Sequence, residues 1–184
     1  MRIIRVLSVV MIAAILVASA AAQDGPLVLA EGGQARAVII TGEGSVAEYA
    51  ASELEKYLEQ ISGADFALLS AGEGARTTEG AAGAEMARVF VGPCDASRAA
   101  GLEVADLKRD GFHRAVIGND LFLLGRDAEG VHRVRADLTE RATLFAVYDL
   151  LEDAFGVRFI MGGPFGEVVP RLDRLEVPRE SIVE

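Results

Sequence analysis

The chain has 184 residues, with 18 Lys and Arg against 28 Asp and Glu, two His, one Cys and no Trp. That length suits one domain and is too short for an eight-stranded α/β barrel, which takes about 250 residues. The formal charge of −10 speaks against a nucleic-acid partner, since phosphate binding needs a basic surface, and a single Cys excludes an intrachain disulfide framework.

Residues 1–22 have the form of a secretory signal peptide. Arg2 and Arg5 give a positive start, Val6 to Ala18 is apolar apart from Ser8, and Ala20 and Ala22 supply a small-x-small cleavage pattern before Gln23. The run falls short of the roughly 20 apolar residues that span a membrane. Cleavage after Ala22 predicts a secreted or periplasmic domain, residues 23–184, with no membrane contact of its own. Losing two Arg and no acid moves the charge from −10 to −12.

Arg36 to Thr41 is a β-branched apolar run and predicts a strand, broken by Gly42-Glu43-Gly44. Ser45 to Ser62 predicts a helix. Ser45 and Glu48 stand at capping-box spacing, Ala47, Ala50, Ala51, Leu54, Tyr57, Leu58 and Ile61 recur at helical period, and Gly63 stops the run. Glu48, Glu53, Lys56 and Glu59 fall on its solvated sides. Asp65 to Ser70 predicts a second strand, and Ala71 to Glu85, without periodicity, a loop. Ala87 to Val91 predicts a third strand ended by Gly92-Pro93, after which Asp95 starts a short helical turn through Ala100.

Phe112 to Ile117 and Leu121 to Leu124 flank Gly118-Asn119-Asp120, which is hairpin chemistry. Gly125 to Arg141 is polar and predicts an excursion. Thr139 or Thr143 then starts a helix running to about Phe155, with Leu144, Val147, Tyr148, Leu151, Ala154 and Phe155 as its apolar face and Gly156 as a left-handed stop. Val157 to Met161 returns to extended chain, Gly162-Gly163-Pro164 and Pro170 mark a loop, and Leu175 to Val177 makes a last strand. This order predicts an α/β (α+β) two-layer sandwich, with a mixed, largely antiparallel sheet and both long helices on one face.

The sharpest local motif is Gly42-x-Gly44-x-x-Ala47 between strand and helix, the loose form of a dinucleotide-binding turn, with Glu73 as the ribose-binding acid. Glu43 would set a negative charge against the phosphates, and Glu73 comes about 30 residues after the turn where such folds place the acid about 20 on. A Gly-rich turn feeding a helix accounts for the same residues. His113, His132 and Cys94 carry no ligand spacing or triad context. Asp149, Glu152 and Asp153 fall on the polar side of the second helix and read as surface charges. No catalytic, cofactor-binding or metal-ligating residue is assigned.

Four segments together carry a resemblance: AEYAASELEKYLEQISGADFAL, ARVFVGP, GFHRAVIGNDLFLLGRD and ATLFAVYDLLEDAFGVRFIMGGPFGEVVP. Over residues 27–178 they resemble the N-terminal domain of family-67 α-glucuronidases and the non-catalytic second domain of β-N-acetylhexosaminidases. This chain departs from that pattern at Phe159, where relatives often carry Trp, and at Gly130 to Arg141, which looks inserted. The resemblance implies an accessory domain of a secreted glycoside hydrolase, without activity alone, that supports a catalytic barrel lying outside this chain. Phe159, Met161, Phe165 and Val168 are the expected docking surface. The alternatives are a glycan-binding module, poorly served by three Tyr and no Trp, and a small nucleotide-binding protein using the Gly42 loop.

Overall fold

A computed structural model describes residues 25–74, 86–130 and 139–184. The expected signal peptide, positions 75–85 of the expected loop, and His132 lie outside the described residues.

The main sheet is built from strands whose residues are apolar on both sides. In β3 (Ala37–Thr41), β5 (Ala87–Val91) and β7 (Asp120–Gly125), alternate residues serve two separate cores. Ile39, Val89, Val91, Leu121 and Leu123 face one layer, and Val38, Ile40, Phe90, Phe122 and Leu124 face the other. Strands buried on both faces suit parallel pairing, and β3–β5 and β5–β7 pair in parallel. With β4 (Leu68–Ser70), β6 (Phe112–Ile117) and β11 (Ser181–Val183) the order is β11-β6-β7-β5-β3-β4. A smaller sheet places β10 (Arg174–Val177) and β2 (Gln34–Ala35) on either side of β1 (Leu27–Glu31). Five of the eight ladders among the described residues are antiparallel, and the three parallel ones lie together in the main sheet.

Helix α1 (Ser45–Ser62) buries the whole expected face, together with Val46. Its cap differs from the expected box. Gly44 is the N-cap, and Ser45 is already helical, because the turn from β3 consumes only Gly42 and Glu43. Gly63 ends the helix in the left-handed conformation, its N–H donating to the Glu59 carbonyl at 2.8 Å. The expected strand 65–70 shortens to β4, because Ala64 and Phe66 are drawn into the core and the ladder with β3 starts at Leu68. Residues 71–74 form a short helix, α2, where a loop was expected.

Helix α3 (Asp95–Ala99) is capped by Cys94, not Asp95, with the Ser97 hydroxyl closing the turn onto the Cys94 backbone. It and the chain to Val104 cover the second core, which holds Phe90 stacked on Phe122 at 5.0 Å. The β6–β7 hairpin turns over Gly118-Asn119 as expected, with Ile117 opposite Asp120. Helix α4 (Ala142–Asp153) starts after Arg141, so neither Thr139 nor Thr143 is its N-cap. It lies beside α1 on the same face, burying Ala142, Ala146 and Leu150 besides Leu144, Val147 and Leu151. Past its end the Val157 N–H reaches back to the Leu151 carbonyl at 3.0 Å, with Gly156 left-handed between them.

Close approach sets the ends of the central strands. A side chain at Gly42 would meet the Pro93 carbonyl at 2.6 Å, one at Gly92 would overlap the Ala47 side chain, and one at Gly125 would meet Ala142 at 2.5 Å. Gly92 is also left-handed, at φ +92°. Gly92→Ala therefore combines backbone strain with overpacking and should cost about 3 kcal/mol or more. Gly118→Ala, at φ +61° in open space, should cost only about 1–2 kcal/mol. Urea unfolding of the two variants checks this, and equal losses would contradict the packing assigned to Gly92.

Candidate functional site

Between β3 and β5 the chain departs in opposite directions: β3 feeds α1 on one face, and β5 feeds α3 on the other. Open α/β sheets hold ligands at such switch points, and a cavity of about 380 Å³ opens here, lined by Glu43, Ser45, Pro93, Asp127 and Glu129 among others. Its described lining carries three carboxylates and no cation, a poor setting for phosphate. The motif residues have a packing role instead. Gly42 and Ala47 are the positions against which the Gly92-Pro93 turn is pressed. Glu43 points outward, its carboxylate accepting from Arg98 at 2.8 Å, and Arg98 also binds Asp95 at 2.7 Å. Glu73 falls in α2.

Asp127 performs the capping that sequence spacing assigned to a threonine. Its carboxylate accepts the Thr143 N–H at 2.9 Å, while the Thr143 hydroxyl accepts the Gly125 N–H at 3.0 Å. Burial pushes the Asp127 carboxyl above its ordinary range, and the hydrogen bonds from Thr143 and Ala142 pull the other way. Cys94 is a buried free thiol. The Nε2 of His113 lies 2.9 Å from the Glu103 carbonyl, a distance that fits donation to a backbone oxygen.

Asp149 and Asp153 are not simple surface charges. Arg114 sits on β6 facing α4 and is 3% exposed, and its guanidinium meets the half-buried Asp149 and the exposed Asp153 of that helix. Its guanidinium lies 3.2 Å from Asp149, 2.6 Å from Asp153 and 3.5 Å from Glu180. The Asp149 contact is close but poorly aligned, leaving Nη1 of Arg114 and Oδ2 of Asp149 buried without a hydrogen bond. Burial lifts the Asp149 carboxyl, Arg114 opposes the rise, and Asp153, Glu184 and Glu152 add to it. The cluster joins α4, β6 and the approach to β11. Glu152 stays exposed, as its position on the helix predicts.

The most built surface feature follows α4. β8 (Arg158–Phe159) and β9 (Glu167–Val168) form a short hairpin. Its tip is pinned by the Ile160 N–H on the Gly166 carbonyl at 2.8 Å and the Gly166 N–H on the Gly163 carbonyl at 3.0 Å. Gly166 lies against the Met161 backbone with no room for a side chain. Of the expected docking residues, Met161, Phe165 and Val168 are exposed, Phe165 at 99%, and Ile160 joins them. Phe159 turns inward, with its ring 5.4 Å from Tyr57 and 4.9 Å from Tyr148.

Beside this tip, between α1 and α4, opens a cleft of about 450 Å³, lined by Glu53, Lys56, Tyr148, Glu152, Glu167 and Met161 among others. The Tyr148 hydroxyl donates to Glu53 at 2.9 Å, and Lys56 lies 3.7 Å from Glu53 and 4.3 Å from the Tyr57 ring centre. Burial first, and then Glu53 for Tyr148 and Glu167 for Tyr57, raise both hydroxyls well above the ordinary tyrosine value, so each remains a donor at neutral pH. The periodicity of α1 marked Glu53 and Lys56 only as solvated sides. Pairing of Glu53 with a residue 95 positions away could not be read from spacing.

Among the described residues, no helix is long and apolar enough to cross a membrane, and no group of three or more His, Cys, Asp or Glu is placed to hold a metal ion. The chain matches no family model and no curated protein sequence.

Two stability predictions come from these contacts. Asp127→Ala removes the cap of α4 and should cost about 0.5–2 kcal/mol. The folded carboxyl titrates above the unfolded one, so its ionisation opposes folding as pH rises through the folded value. Relative to Asp127→Asn, the wild type should therefore gain stability as pH is lowered from about 7 to about 4, and a relative loss would contradict the burial effect. Arg114→Leu leaves Asp149 without its counter-charge and should cost about 1–3 kcal/mol, with part of that recovered in Arg114→Leu/Asp149→Leu. Chemical denaturation of the single and double variants measures it, and no recovery would contradict the coupling.

Proposed function

We propose that residues 23–184 form a non-catalytic accessory domain of a secreted carbohydrate-active protein of the α-glucuronidase or hexosaminidase kind, resting against a catalytic barrel carried elsewhere. The observation that carries this reading is the pinned β8–β9 hairpin, which holds Met161, Phe165 and Val168 in solvent. An ordered turn that displays large apolar side chains suits a surface that another protein covers. The fold supports the same reading. The segment ATLFAVYDLLEDAFGVRF, the most specific part of the resemblance, forms α4 and leads directly into that hairpin. The switch-point cavity is lined by acids and shaped by packing, which favours an accessory role over nucleotide chemistry. Export rests on the signal-type pattern of residues 1–22.

The purified chain should release no sugar from aryl glycosides or glucuronoxylan fragments, and calorimetry against xylan and chitin oligosaccharides should show no saturable heat. Measured hydrolysis would overturn the reading, and saturable binding would replace it with a glycan-binding module.

A further inference from the structure

The hairpin tip and the cleft beside it are continuous, since Met161, Gly162 and Gly163 line both. Their chemistry differs. The tip is apolar, whereas the described lining of the cleft carries Glu53, Glu152 and Glu167 against Lys56, with Arg158 beside it turned onto the Glu152 carbonyl at 2.7 Å. Lys56 leans toward Glu53 and the Tyr57 ring, and Glu152 stands on the open rim. We infer that tip and cleft form one protein-docking surface, whose partner offers an apolar patch carrying Arg or Lys side chains. The apolar patch covers Met161 and Phe165, and the basic side chain enters the cleft toward Glu152 and Glu167. The inference rests on the accessory-domain reading in taking a protein domain as the occupant.

Other occupants fit less well. A second copy of this chain would set the acidic cleft against itself in a two-fold contact, and like charges brought together in an interface are costly. An anionic glycan or lipid surface meets the same repulsion. Within the cleft a neutral sugar finds no fully open aromatic face among the described residues, since Tyr57 is 1% exposed and Tyr148 and Phe159 are half-buried, and the exposed Phe165 stands on the tip among apolar side chains. An Arg or Lys flanked by apolar groups satisfies both parts of the surface at once, and its attraction should weaken with salt.

The test is a ¹⁵N-resolved titration of the full chain with a capped peptide alternating Leu and Arg. Controls are the same peptide with Glu for Arg, and N-acetyl-arginine amide. Saturable shifts confined to residues 148–168 and to the Glu53–Tyr57 turn are expected with the Leu/Arg peptide alone. Binding should weaken about tenfold or more in Glu152→Gln/Glu167→Gln and in Phe165→Ser. Glu152 and Phe165 are exposed and Glu167 is half-buried in the cleft wall, and an unchanged spectrum elsewhere shows that the variants fold. The inference is overturned by absent or non-saturable shifts, by equal binding of the Glu peptide, by equal binding of the arginine amide, by undiminished binding in either variant, or by concentration-dependent self-association through this surface. Failure here removes the docking chemistry and leaves the accessory reading standing. Hydrolysis by the pure chain removes the accessory reading and leaves this titration untouched.

Discussion

Glycines at the ends of two central strands press directly on the first turns of the two long helices, and the rest of the molecule is arranged around that contact. Gly92, just after β5, seats on Ala47 in the first turn of α1, and Gly125, the last residue of β7, seats on Ala142 in the first turn of α4. The device is the same twice: a strand-terminal residue without a side chain against the smallest side chain that favours a helix. It lets both helices start at the sheet and run side by side over Ile39, Val89, Leu121 and Leu123. Each large apolar side chain buried there is worth about 1.5–3 kcal/mol before chain entropy is counted. The same contact borders the crevice where a doubly wound sheet would cradle a ligand, and the cavity left there is lined by acids.

The cleft is a consequence of that packing. With α1 and α4 adjacent, Glu53 reaches Tyr148, and Tyr57 and Tyr148 close over Phe159. Phe159 therefore anchors the β8–β9 hairpin from beneath, while Ile160, Met161 and Phe165 are turned outward by the Gly163 to Gly166 turn. The charges divide the molecule in a similar way. On the sheet side of α4, Asp149 and Asp153 neutralise buried Arg114 and hold the helix to β6. On the hairpin side, Glu53, Glu152 and Glu167 outnumber Lys56 in the described lining, with Arg158 turned onto backbone carbonyls.

Local, periodic features were legible in the sequence. The face of α1, the limits of β5 and the turn at Gly118-Asn119 follow from residues close together in the chain. What escaped depends on distant partners. β1 is a short strand that pairs with β10, some 150 residues on, and β11 is set by β6. The cap of α4 comes from Asp127, across the 125–141 excursion, so local threonines were credited instead. Asp149 and Asp153 have the spacing of solvated charges and become partners of Arg114 only because β6 places a cation beneath them. The exposure of the expected docking residues was half legible. The Gly/Pro-rich turn marked the surface, but the inward rotation of Phe159 needed the two tyrosines, which belong to different helices.

The proposed accessory role puts a catalytic partner over the hairpin tip and its cleft. Amide hydrogen exchange of the chain, alone and mixed with a separately produced family-67 barrel, measures that directly. A docking surface predicts slowed exchange concentrated at residues 159–168 and the adjoining end of α4, with the Gly42 and Gly92 turns unchanged. Unaltered exchange at the hairpin, or protection centred on the crevice at the ends of β3 and β5, would contradict it.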